Sequence, residues 1–261
     1  MKNAIVTGGS RGIGESIVMK LGEMGYNIII DYHRDESKQL TENIIKTLKT
    51  KYKVEGYGIQ ADISSYEECQ KIVKLAEEKF GGNIDVLVNN AGISSSDVPF
   101  TETKYEQYMS IINTNLLGTF HMCHLFVPYM VKAKKGCVIN VSSIGGLMGV
   151  PGQVDYCASK AGIIGMTRGL AVEFAKDNIR FNCICPGMIL TDMLRNIDKN
   201  KVEALAKFIP LGKIGKVEDI SSVVEFLIKN DYMTGQSVSP NGGIIMPWIN
   251  KKKIYKLINY T

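Results

Sequence analysis

The stretch "NAIVTGGSRGIG", residues 3–14, decides the fold. It opens as a short apolar run, passes through a glycine cluster and closes on what reads as the first turn of a helix. Gly8, Gly12 and Gly14, with Gly9 extra, have a G-x-x-x-G-x-G spacing, and Ser10, Arg11 and Ile13 fill the intervening positions. Glycines at such a junction permit a tight turn, close approach of the backbone to a pyrophosphate, and room where the helix meets the sheet. A glycine cluster alone also suits an ordinary turn. Its position after the first strand and before a helix makes a phosphate-binding loop the stronger reading.

Working outward, short apolar runs alternate with longer helical stretches. The strand candidates are 3–9, 27–32, 53–62, 84–92, 136–143, 179–187 and 235–243; helices fall near 12–24, 36–50, 65–80, 104–132, 154–176 and 218–229. The strands read as continuous apolar runs, as strands covered on both faces do. Strand–helix–strand repeats imply right-handed crossovers and a parallel sheet. The predicted fold is α/β, a single doubly wound parallel sheet of about seven strands with helices on both faces. Ligands of such folds sit outside the carboxyl ends of the strands. No linker or repeat divides the chain, so one domain is expected over 1–246, with a substrate lid around 188–215 and a basic tail at 247–261.

Composition narrows the partners. The formal charge of the 261 residues is +5, and Lys251, Lys252, Lys253 and Lys256 in the tail supply four of those units. The nearly neutral body argues against a nucleic-acid surface. No apolar run approaches the length of a membrane span. Because the sequence opens on a strand-like run, no signal peptide is expected. Its six cysteines show neither CxxC nor metal-ligand spacing, as expected of reduced thiols in the cytoplasm. His121 and His124 lack a third ligand and read as helix-surface or interface residues, so no metal is expected; His33 reads as solvent-facing.

The chemistry-bearing residues lie further along. In "VDYCASKAG" (154–162), Tyr156 and Lys160 are one helical turn apart and share a face. An unperturbed Tyr, with a pKa of about 10, is a poor base near neutrality; a cation within about 4–6 Å favours the phenolate. Ser143, in "INVSS", lies thirteen residues before Tyr156, with Ser142 as its neighbour and alternative. A strand-end hydroxyl there would stabilise charge developing on a substrate oxygen. Each residue has an ordinary structural explanation, but the ordered set behind a nucleotide loop does not.

"TGGSRGIG", "NNAG" (89–92), the Ser–Tyr–Lys spacing, "PGMILTDM" (186–193) and "MTGQSVSPNGG" (233–243) together resemble the short-chain dehydrogenase/reductase family over residues 3–245. The resemblance implies a nicotinamide-dependent oxidoreductase interconverting a ketone and a secondary alcohol, usually as a homotetramer with the 104–132 and 154–176 helices at one interface. It implies Tyr156 as general acid/base, Ser143 on the substrate oxygen, and Lys160 on the nicotinamide ribose. Asn115 would be the helix Asn that holds a water in a proton relay, with Asn113 structural. Asp62 and Ile63 would border the adenine. Asn89, Ala91 and Gly92 would line the cofactor, as would Pro186, Gly187, Ile189 and Thr191. The acid that accepts the ribose hydroxyls in NAD-dependent members would stand at Tyr32. Asp31 comes one position too early, and Arg34 and Arg11 resemble the basic positions of NADP-preferring members. NADP(H) is therefore favoured over NAD(H).

The stretches around 149–162 and 212–243 look like those of members that reduce 3-oxoacyl groups on acyl-carrier protein. That group's Arg-Met after "NAG" is missing, and Asp177 stands where it often carries a basic residue. Lys132, Lys134 and Lys135 are the candidate docking cations for an acidic carrier. A steroid, bile-acid, sugar or small-alcohol dehydrogenase fits the same catalytic set, and a non-catalytic nucleotide-binding protein is the reading from another class.

Overall fold

A computed structural model describes residues 2–191 and 205–245. Seven strands form one sheet in the order β3-β2-β1-β4-β5-β6-β7, and every pairing is parallel. They are β1 (Lys2–Val6), β2 (Tyr26–Tyr32), β3 (Gly56–Gln60), β4 (Val86–Asn89), β5 (Gly136–Val141), β6 (Ile179–Ile184) and β7 (Ser237–Val238). The helices are α1 (Gly12–Glu23), α2 (Ser37–Thr47), α3 (Tyr66–Phe80), α4 (Tyr105–Ile111), α5 (Gly118–Ala133), α6 (Val154–Phe174) and α7 (Val217–Lys229).

The burial of the strands explains their composition. Alternate residues of β2 enter two separate cores. Ile28 and Ile30 pack with Ile17, Val18 and Leu21 of α1 and Val224 and Leu227 of α7. Ile29 packs on the other face with Ile72 of α3 and Met122 and Phe126 of α5. Both faces are apolar, so the run shows no in/out alternation. Successive strands are added in one direction from β1 to β3 and in the other from β4 to β7, so the switch point between β1 and β4 opens a crevice at the carboxyl ends.

Local signals set the helix ends. Ser65 caps α3 by accepting a hydrogen bond from the Glu68 amide, and Gly81 terminates it in the left-handed region at φ 60°. The helix expected over 104–132 is interrupted by a π-helical segment, Ile112–Leu117. Within that widened turn Asn115 is completely buried. The expected strand at 235–243 shortens to two residues: Gly235 enters it in the left-handed region at φ 71°, Pro240 has no amide to give, and Asn241 then turns the chain by accepting the Gly243 amide at 2.8 Å. Of the lid expected at 188–215, residues 192–204 lie outside the described residues, as does the tail at 247–261. The described remainder begins with Ile189 bridged to Gly215.

A buried polar chain ties the middle of the sheet to α6. Asn89 Nδ2 donates to Asn140 Oδ1 at 2.8 Å, and Asn140 Nδ2 donates to Thr167 Oγ1 at 2.9 Å. Truncation of Asn140 strands two partners in the interior, where an unsatisfied polar group costs about 1–3 kcal/mol. Asn140→Ala is expected to lower unfolding free energy by about that amount, read as a lower denaturant midpoint at unchanged slope. An unshifted midpoint would show that the chain does not bear on stability.

Candidate active site

The glycine loop lies at the carboxyl end of β1 and is shaped by close contacts. Gly8 and Gly12 adopt φ of 61° and 57°, where a side chain is strained. A Cβ on Gly14 would collide with the Gly8 carbonyl, and one on Gly8 would meet Ala91 Cα at 2.9 Å. Asn90 Nδ2 donates to the Thr7 and Gly8 carbonyls at 3.0 and 3.1 Å. Thr7 Oγ1 accepts the Asn90 and Ala91 amides at 3.0 and 3.1 Å. The ends of β1 and β4 are thus locked together. Helix α1 starts at this loop, and its N-cap residue, Arg11, makes no side-chain cap. Its first amides are therefore left to an anion, as a dinucleotide pyrophosphate requires. The Thr191 methyl lies 3.6 Å from the point a Gly12 Cβ would occupy, placing the start of the lid region over the loop.

The remaining expected cofactor residues separate into two groups. Ala91, Gly92, Pro186, Gly187 and Ile189 border the carboxyl ends of β4 and β6. Ser10 is buried within the loop, and the Pro186 carbonyl accepts the Ile144 amide at 3.0 Å. Gly187 is confined because a Cβ would meet Asn241 Cα at 2.7 Å. Asp62 Oδ1 accepts the Ser64 amide at 2.9 Å in the β3–α3 turn, and Ile63 is buried beside it. Asn89, at the end of β4, has its side chain buried, its Nδ2 donating to Asn140 Oδ1 and to Cys123 Sγ at 3.3 Å. Tyr32 is also buried, and burial raises its phenol above the ordinary value, with Glu42 next in effect. Arg34 is exposed and pairs with Glu36 at 3.4 Å, and Arg11 is exposed near the loop.

Four side chains converge beyond β4 and β5. Ser143 Oγ accepts the Gly145 amide at 3.0 Å, which leaves its O–H to donate elsewhere. Gly145 stands 3.1 Å, measured from its would-be Cβ, from Tyr156 Cε1. Burial pushes the Tyr156 phenol above its ordinary value, and a hydrogen bond from Ser143 draws it partly back. Lys160 Nζ donates to the Val141 carbonyl at 3.0 Å and lies 5.7 Å from the Tyr156 ring centroid. Its effect on the phenol thus differs from the sequence expectation, for the cation is turned to a main-chain carbonyl and the hydroxyl of Ser143 supplies the opposing pull. Ser142, the alternative serine, is buried and donates to the Lys160 carbonyl at 2.8 Å, so it fastens β5 to α6.

Asn115 positions the floor of the site. Its Oδ1 accepts the Ile93 amide at 2.8 Å, and its Nδ2 donates to the Ile93 carbonyl at 3.0 Å and Ser159 Oγ at 3.1 Å. A Cβ on Gly92 would stand 3.0 Å from Asn115 Oδ1 and 3.3 Å from Lys160 Nζ. A side chain on Gly92 would press on both groups, so β4's exit passes closely between them. Thr7, Asn90 and Ser159 were not singled out from sequence, although Thr7 and Asn90 fall inside the quoted motifs; their role is in tertiary hydrogen bonds.

The other polar candidates have local partners. His121 Nδ1 is 3.1 Å from the Ile63 carbonyl and His124 Nδ1 is 3.1 Å from Tyr66 Oη, so both secure α5 to the β3–α3 region. Lys134 pairs with Asp177 and Lys135 with Asp85, which reduces the basic surface anticipated for an acidic carrier. Among the described residues no helix is long and apolar enough to cross a membrane.

A glycine loop at a strand switch point, facing a Ser–Tyr–Lys cluster, defines a dinucleotide-dependent oxidoreductase of the doubly wound class. The family model described as short chain dehydrogenase matches residues 2–202, and the chain belongs to that family. Among curated proteins it is 39% identical over 247 residues to a 3-oxoacyl-(acyl-carrier-protein) reductase of Staphylococcus epidermidis, covering 94% of this chain and 99% of that one. It is 37% identical to the reductase of that name from Thermotoga maritima, covering 94% and 98%, and 35% identical to that of Synechocystis, covering 93% and 96%.

Lys160 is a buried cation with no carboxylate in ion-pair range among the described residues. Burial lowers its pKa from 10.5 to about 8. Between those values the unfolded chain holds a proton that the native state has lost, so this group makes stability rise with pH across that window. Below about pH 8 the buried charge is a standing cost. Lys160→Met is expected to be more stable than wild type at pH 7, on the order of 2 kcal/mol, with the gap closing by about pH 10. Denaturant unfolding at both pH values checks this, and a gap independent of pH would contradict it.

Proposed function

We propose that the chain is an NADP(H)-preferring ketoreductase of 3-oxoacyl thioesters, with Tyr156 as general acid. The observation that carries the reading is the meeting of Tyr156, Ser143 and Lys160 at the carboxyl edge that also bears the glycine loop. When bound on the glycine loop, a nicotinamide cofactor would supply the hydride for the carbonyl carbon. Tyr156 Oη gives its proton to the carbonyl oxygen, and the Ser143 O–H, directed at the phenol in the free protein, would turn to stabilise the charge developing on that oxygen. The raised phenol pKa keeps the acid protonated near neutrality, which suits reduction. Lys160, held by the Val141 carbonyl beside the phenol, would bind the ribose hydroxyls of the cofactor and supply positive charge near the phenolate. Asn115 keeps residues 92–93 and the lysine in register, and a relay water would take the second lone pair of its Oδ1.

The thioester reading rests on relatives that match over nearly their whole length and on apolar side chains around the site. Ile93 follows Gly92, Leu147 comes four residues after Ser143 and Val154 two before Tyr156, and all three are partly exposed, as suits an acyl chain. Exposed Tyr105, Phe120 and Val172 on α4, α5 and α6 support a homotetramer. Free cysteines at all six positions fit a cytoplasmic enzyme. Arg34 and Arg11, with Tyr32 rather than an acid at the end of β2, support NADP(H).

Tyr156→Phe should still bind NADPH with wild-type affinity while kcat on an acetoacetyl thioester falls by about a thousandfold or more. A carbonyl and alcohol screen with both cofactors supplies the comparison, and an equally active Phe variant would overturn the assignment. Arg34→Ala should raise the NADPH Michaelis constant by about tenfold and leave that for NADH nearly unchanged, since only NADPH carries the 2′-phosphate. Equal effects on both would refute the NADP(H) preference.

A further inference from the structure

Asp31 is the carboxylate that the cofactor reading sets aside, and its surroundings are unusual. It points to the α3 face of β2, opposite Tyr32, and is only 2% exposed. Its Oδ2 accepts the Gly8 amide at 3.3 Å, and its main-chain carbonyl accepts the Gly9 amide at 2.9 Å. One residue therefore supports the glycine loop from below at two consecutive amides. Its Oδ1 is buried without a hydrogen-bond partner among the described residues.

Among the described residues no cation compensates it. The groups that bear on Asp31 are Asp62 of the β3–α3 turn, Cys69 of α3 and Tyr32 of its own strand. Each of these is neutral or negative. Burial pushes Cys69 up to about 12, so that thiol stays protonated at ordinary pH. Thr7, Gly8 and Gly9 of the loop carry no charge, and the nearest loop cation in sequence, Arg11, is exposed to solvent. Burial, opposed by the Gly8 hydrogen bond and reinforced by Asp62, holds the Asp31 carboxyl at about 8 instead of its ordinary 3.8.

We propose that Asp31 is a positioning residue that couples proton uptake to cofactor binding: it is neutral when the loop holds a dinucleotide, and its ionisation weakens that binding. This rests on the reading of the loop as the dinucleotide site. The physical cause is charge repulsion across a single layer of backbone, where water cannot screen a buried carboxylate from phosphates seated on the loop. The phosphates favour the protonated form, so binding raises the affinity of Asp31 for its proton, and by reciprocity a proton raises the affinity for the phosphates. The position differs from the acid that accepts ribose hydroxyls, which would stand at Tyr32.

The test is NADPH binding to the full chain, without turnover, followed by fluorescence and by calorimetry in buffers of different ionisation enthalpy. In wild type the dissociation constant should rise with pH above about 8, approaching tenfold per unit, with close to one proton taken up per NADPH bound. Asp31→Asn keeps an acceptor for the Gly8 amide, and should bind NADPH with an affinity nearly flat over the same range. Lys160, which also titrates near 8, is present in both proteins, so the difference between them isolates Asp31. Asp31→Ser serves as the second variant if the Asn protein does not fold. Equal proton uptake in wild type and variant, or none in wild type, overturns the proposal while leaving the loop as the cofactor site. Failure of wild type to bind NADPH at any pH overturns both.

Discussion

The contact between Gly8 and Gly14 is the constraint on which the site depends. A loop that turns back under the first turn of its own helix leaves no volume for a Cβ at Gly14. That closeness brings the uncapped start of α1 to the end of β1, and Asn90 then reaches across from β4 to hold the Gly8 carbonyl. Everything further along the edge is measured from this junction. Ala91 rests against Gly8, Gly92 threads between Asn115 and Lys160, and Lys160 is fixed by the end of β5. The catalytic cluster and the nucleotide loop are therefore parts of one packed edge.

This edge collects charges that the interior would otherwise reject. Lys160 is buried opposite a carbonyl, and Asp31 is buried opposite an amide, each without an ion partner among the described residues. Burial moves both toward neutrality, the lysine downward and the aspartate upward, to about 8 in each case. A protein selected only for stability would have replaced them with apolar residues of similar size. Their presence beside the loop and the phenol marks where stability has been given up to function.

Much of the fold was legible in the sequence because its strands are apolar on both faces and its helices carry ordinary end signals, as Ser65 and Gly81 do for α3. The loop and the Tyr–Lys pair were legible because their chemistry depends on spacing along the chain. What sequence could not supply was direction. Asn89 and Asn90 are adjacent in "NNAG", yet one faces Asn140 and the other the glycine loop. Lys160 was expected to act on its neighbour one turn away, but its ammonium is drawn to Val141 on another element. The short β7 was overestimated because Gly235 enters it in the left-handed region and Pro240 has no amide for the ladder. The asparagine and lysine directions are decided by tertiary partners.

The π-helical turn at Ile112–Leu117 has a consequence beyond the burial of Asn115. An α-helix repeats every 3.6 residues, so the one extra residue accommodated by a π-turn shifts the phase of everything after it by about 100°. Helices α4 and α5 are continuous in sequence but not in phase. Counted without the extra residue, Phe120 and His124 would fall about 110° from the stripe that Tyr105 and Tyr108 begin; counted with it, the two pairs come into line. The segment works as a phase adapter. It lets one side of the rod be chosen by what lies outside the molecule and the other by the site within, with neither choice dictating the other.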